Sequence, residues 1–70
     1  MEQNDLTNRF TYHPPQAGQP ARYEKIRYKA LELAFIINDL VPDGREKSLA
    51  ITQLEMAVMF ANAGIARETP

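Results

Sequence analysis

Seventy residues with 8 Lys+Arg, 9 Asp+Glu, one histidine and no cysteine make one small domain. They leave no room for disulfides, thiolate ligands, a cysteine nucleophile or a multi-histidine metal site. A chain this short buries only about 60% of the surface its unfolded form exposes, so self-association is the remedy left. The net charge of -1 argues against long DNA or RNA as the main partner.

The first residues, Met1-Glu2-Gln3-Asn4-Asp5, are polar and acidic where a signal peptide would be basic and then apolar. The apolar run Leu33–Ile37 falls far short of the ~20 residues that span a bilayer. The expectation is a soluble protein of the cytoplasm. Residues 1–18 read as a polar arm broken by Pro14, Pro15 and Gly18, with at most one short helical turn around Glu2–Asn8. Phe10-Thr11-Tyr12-His13-Pro14-Pro15 follows as a stiff extended strip, because a residue before proline is pushed away from helical geometry.

Pro20 favours a helix start, and the first long helix is expected over about 20–40, ending before Pro42-Asp43-Gly44. Its apolar seam is Tyr23, Ile26, Ala30, Leu33, Ile37 and Leu40, spaced as a heptad. The second long helix is expected over about 44–66, with Asp43 as N-cap and Glu46 completing a capping box. Its seam is Ile51, Leu54, Val58, Ala61 and Ile65. The tight connection makes the helices antiparallel, giving an all-α hairpin over a single domain of residues 1–70. Leu31, Phe35, Ile36, Leu49, Met56, Met59 and Phe60 exceed what one seam can bury. Their second faces point to an obligate oligomer.

Catalysis finds no support. The hydroxyls Thr7, Thr11, Ser48, Thr52 and Thr69 have no spacing relation to the histidine, there is no Gly-rich phosphate loop, and no metal or cofactor is called for. The informative stretch is the aromatic strip followed by a basic segment. Arg22, Lys25, Arg27 and Lys29 face only Glu24, a local +3 that suits a small anion. Phe10 and Tyr12 offer faces on which a base can stack, worth about 1–3 kcal/mol each in nucleic-acid binders. Arginine grips phosphate with paired donors, lysine as a point charge. Arg22, Lys25 and Lys29 share one helix face, and Arg27 lies on another. The plainer alternative is that the strip packs on the hairpin and the charges solvate it. His13 is either a turn residue or a ligand group, and Asn62 either bonds across an interface or lines a pocket. Arg67 either caps its helix or reaches a ligand at a subunit junction.

Four blocks stand in order: Phe10–Pro15, Arg22-Tyr23-Glu24-Lys25-Ile26-Arg27, Arg45-Glu46-Lys47-Ser48-Leu49-Ala50, and Met59-Phe60-Ala61-Asn62-Ala63-Gly64-Ile65-Ala66-Arg67. Together they resemble the phage hairpin-domain family of anti-CBASS protein two and the Thoeris anti-defence sponge. The resemblance implies a phage protein that sequesters cyclic oligonucleotide messengers in the host cytoplasm without cleaving them, working as a homohexamer with pockets between protomers. Cyclic dinucleotides are the implied ligands, with cyclic trinucleotides at separate sites and cyclic ADP-ribose isomers as the Thoeris-type alternative. A structural or adaptor oligomer without a nucleotide is the remaining reading. By position, the resemblance makes Tyr12 the stacking aromatic, Arg27 the phosphate contact (a role Lys25 or Lys29 would otherwise take) and Arg67 part of a trinucleotide-type site. Glu68 beside Arg67 would weaken an anion site there.

Overall fold

The computed structural model describes residues 3–68, and these form three α-helices and no strand. Helix α1 covers Gln3–Phe10, α2 Gln19–Leu40 and α3 Arg45–Ala66. The expected helical turn is thus a full short helix, although Glu2 lies outside the described residues. Phe10 belongs to its last turn, so the extended strip is confined to the residues after it. The left-handed backbone of Gly18 (φ 85°) turns the chain into α2, and Pro20 sits in the first turn, where its missing N–H is not needed.

Pro42 ends α2 by forcing Val41 into an extended conformation (φ -104°, ψ 131°), while the Val41 N–H still bonds to the Ile37 carbonyl at 3.0 Å. The expected capping box does not form. Helix α3 starts after Gly44, which makes no side-chain cap, and the Ser48 N–H closes the first turn on the Gly44 carbonyl at 3.2 Å. Asp43 stands one residue too early to cap. It accepts instead from Lys47 Nζ at 2.8 Å, and that bond holds its carboxyl below the ordinary value of 3.8.

Helices α2 and α3 lie against each other over their length. The α3 seam is the expected one: Ile51, Leu54, Val58, Ala61 and Ile65 are all half-buried. The α2 seam drifts. Tyr23, Ile26, Ala30 and Ile37 are half-buried as expected, but Leu33 and Leu40 stay 44% and 77% exposed while Ala34 and Val41 take the inner positions. A straight helix repeats every 3.6 residues, so a strict heptad walks off the facing stripe by about 20° per heptad.

This pairing yields no buried core. Among the described residues only Gln19 is fully buried, and no apolar side chain is. The chain measures 44 × 29 × 13 Å, with the shortest axis close to the ~10–12 Å width of one helix. It is a single layer, where stable domains stack two. The radius of gyration is 15.4 Å, against about 11 Å for a compact chain of this length. The accessible surface is 5861 Å², about 1,400 Å² above the ~4,450 Å² of a compact monomer of this mass. Helix α3 is also long and apolar enough to cross a membrane, by length and composition alone. Uninterrupted runs conceal this, because Thr52, Gln53, Glu55 and Asn62 break them.

Candidate functional site

The N-terminal arm carries the aromatics. Phe10 is 85% and Tyr12 81% exposed, so neither packs on the hairpin. His13 is only half-buried and its Nε2–H donates to the Asn8 carbonyl at 2.7 Å, satisfying one of the free carbonyls at the end of α1. That bond ties His13 back to the end of α1 and helps to hold the arm in shape.

The basic segment divides into engaged and free cations. Arg22 Nη2 donates to Glu68 Oε1 across the open end of the hairpin. Lys29 Nζ lies 3.3 Å from Glu32 Oε2 and 5.8 Å from the Tyr28 ring centre, within reach of a cation–π contact. Among the described residues Lys25 and Arg27 have no carboxylate within 4 Å. Both border a surface recess of about 640 Å³ with Glu24, Tyr28 and Leu31. Arg27 also borders a groove of about 350 Å³ between the long helices. The arrangement offers an exposed aromatic on the arm and two unpaired cations on α2.

Gln19 was not singled out by the sequence, yet the open end is organised around it. At 1% exposure, its Oε1 accepts from the Gln16 N–H at 2.9 Å. Its Nε2 donates to the Ile65 carbonyl at 2.9 Å and to Glu68 Oε1 at 3.2 Å. The hydrogen bond from Arg22, then that from Gln19, holds the Glu68 carboxyl below its ordinary value of 4.5. Glu68 therefore turns its carboxylate to Arg22 and Gln19.

Asn62 lies in the last turns of α3, and Arg67 is its C-cap. Asn62 is half-buried and its Oδ1 is buried with no donor, a deficit of about 1–3 kcal/mol for a group left unpaired. Arg67 follows the last turn, its N–H bonded to the Ala63 carbonyl at 3.0 Å. Its side chain borders a recess of about 240 Å³ with Met56, Met59, Phe60 and Ala63. Apolar walls with one cation at the mouth suit a flat, anionic ligand.

The family described as Acb2/Tad1, hairpin domain, matches residues 2–66. No curated protein matches the chain. No solved structure matches it either.

Proposed function

The chain belongs to the Acb2/Tad1 hairpin-domain family, and on that premise we propose that it is a phage anti-defence sponge which binds cyclic oligonucleotide messengers and releases them unchanged. The family match over residues 2–66 carries this reading. The exposed ring of Tyr12 and the unpaired Lys25 and Arg27 support it, since a cyclic dinucleotide presents bases to stack and two phosphates to neutralise. Of the three cations with a claim on phosphate, Lys29 is held by Glu32, which favours Arg27 and Lys25. The functional unit is a homo-oligomer, for which a hexamer is the family-based reading, acting in the host cytoplasm. The single-layer hairpin with no buried apolar side chain supports self-association. The unpaired Asn62 Oδ1 and the recess beside Arg67 support a second, trinucleotide-type site.

Calorimetry on the oligomer with 3′,3′-linked cyclic dinucleotides tests the reading. Binding is expected, with Tyr12→Ala and Arg27→Ala each weakening it by about 1–3 kcal/mol. Ligand recovered after heat denaturation is expected intact by mass spectrometry, whereas cleaved ligand would indicate an enzyme. Heat with cyclic ADP-ribose isomers alone would move the chain to Thoeris signalling. No heat with either class would leave a structural oligomer.

A further inference from the structure

Among the described residues the one fully buried side chain is an amide, that of Gln19. Covering a polar group costs free energy unless its polar atoms are paired, and here they are. Its Oε1 accepts from the Gln16 N–H at 2.9 Å, and its Nε2 donates to the Ile65 carbonyl at 2.9 Å and to Glu68 Oε1 at 3.2 Å. One side chain thereby joins the base of the arm, the start of α2 and the end of α3. The Gln19 backbone N–H also bonds to the Gln16 carbonyl at 3.1 Å, so the turn from Gln16 to Gln19 is closed in both directions.

The amide sits beside the most permissive point of the arm. Gly18 holds a left-handed φ of 85°, and nothing packs where its side chain would stand. Packing therefore does not dictate that conformation, and glycine reaches several others at little cost. On the far side of this pivot the chain is stiff. Pro14 and Pro15 fix their own φ, and His13 is bonded to the Asn8 carbonyl at 2.7 Å. Tyr12 lies four residues before Gln16, about 12 Å of extended chain. A stiff strip on a free pivot is a lever. A rotation of about 20° at Gly18 carries the Tyr12 ring roughly 4 Å, against the ~0.5 Å within which a binding group must be held. The ring is 81% exposed, so contacts of its own within the chain do not fix it.

We propose that Gln19 is a positioning residue for ligand binding: it fixes the direction in which the arm leaves the hairpin, and with it the place of the Tyr12 ring. The inference rests on the proposed reading of Tyr12 as the surface on which a base stacks. Without the amide, the backbone bond from Gln19 to the Gln16 carbonyl remains, whereas the tie to Ile65 and Glu68 is lost. The arm then swings as a unit and does not unravel. Gln19 touches no ligand in this scheme and acts on affinity only through the ring.

A double-mutant cycle tests this, read by calorimetry with 3′,3′-linked cyclic dinucleotides and with fold and assembly checked by circular dichroism and sedimentation. Gln19→Ala is expected to weaken binding about five- to tenfold, and by no more than Tyr12→Ala does. In the Tyr12→Ala background the same substitution is expected to change affinity less than about twofold, because the ring it positions is gone. In the Arg27→Ala background the full loss should persist. A residue that merely supports the fold gives the same loss in all three backgrounds, and that result overturns the proposal. Unchanged affinity of Gln19→Ala overturns it too. If Gln19→Ala does not assemble like the wild type, Gln19→Glu replaces it in the cycle. Its carboxylate still accepts from the Gln16 N–H but opposes the Ile65 carbonyl and the Glu68 carboxylate, which Arg22 also faces. Two carboxylates so placed hold a proton more readily, so binding by Gln19→Glu should recover between about pH 7.5 and about pH 5 relative to wild type. Failure of both variants to assemble would make Gln19 a folding residue and overturn the proposal. Wild-type protein that binds none of these ligands would overturn the proposed function and this inference with it, whereas wild-type binding with additive losses overturns only the role of Gln19.

Discussion

The two ends of the hairpin are closed by different chemistry. At the turn, the hydrogen bonds are local: Pro42 stops α2, Val41 bonds back four residues to Ile37, and Lys47 reaches four residues to Asp43. At the open end, the contacts join residues 46 and 49 positions apart, through Gln19 to Ile65 and Glu68, with Arg22 also on Glu68. The turn is closed by chain stiffness, which needs no particular partner. The open end depends on one buried amide that has to find three partners at once. Stability concentrated in one residue is vulnerable to one substitution, whereas stability spread over backbone geometry is not.

The largest effect is therefore expected from Gln19→Ala. It removes the acceptor of the Gln16 N–H and one donor of the Ile65 carbonyl at a fully buried position, a loss of about 1–3 kcal/mol. Thermal melting followed by circular dichroism, at fixed protein concentration because association adds to stability, checks it. An unchanged melting temperature would mean that the open end is held by the seam residues and that the Gln19 network is incidental.

Acid sharpens the contrast. Glu68 has a folded-state pKa below its ordinary value of 4.5 because Arg22 and Gln19 donate to its carboxylate. A depressed carboxyl stabilises the fold fully above the unfolded value, and the contribution is lost as pH falls through the folded one. Wild-type melting temperature should then fall below pH 4.5 more steeply than that of Glu68→Gln. Parallel curves would show that the pair contributes nothing measurable, the common outcome for exposed ion pairs. Asp43, lowered by Lys47, titrates in a neighbouring window, so both proteins should carry Asp43→Asn in this comparison.

What was legible in the sequence follows the same division. The chain stop at Pro42, the helix start at Pro20 and the whole α3 seam depend on near neighbours and a local period, and residue order displays both. A heptad places Leu33 and Leu40 inside, yet both are exposed, because a heptad and a 3.6-residue period agree for one or two turns and then separate. The capping pattern places the N-cap at Asp43, one residue before the observed Gly44, and that one-residue difference exchanges a backbone cap for a lysine partner. Gln19 gave no signal, since a polar residue between glycine and proline reads as a turn and its partners lie at the far end of the chain. At the candidate site, the aromatic and basic residue types were visible. That Arg22 and Lys29 are engaged while Lys25 and Arg27 are not depends on where Glu68 and Glu32 come to lie.

The smallest effect belongs to the turn, and it separates two contributions that one salt bridge combines. Asp43 is 96% exposed at its side chain, whereas Lys47 is 13% exposed. The ion pair itself thus sits in water, where screening and side-chain entropy cancel most of the attraction. The Lys47 side chain, by contrast, is largely covered, and a covered cationic side chain contributes through its apolar stem as well as its charge. Asp43→Asn should leave the melting temperature at neutral pH nearly unchanged, and Lys47→Met should do the same or raise it slightly. Lys47→Ala should lower it, because the covered stem is lost. If Asp43→Asn and Lys47→Ala are equally destabilising, the charge and not the stem matters, and the turn then depends on a specific partner as the open end does. If only Lys47→Ala is destabilising, the turn is closed by chain geometry and apolar cover, and polar specificity belongs to the end that also anchors the arm.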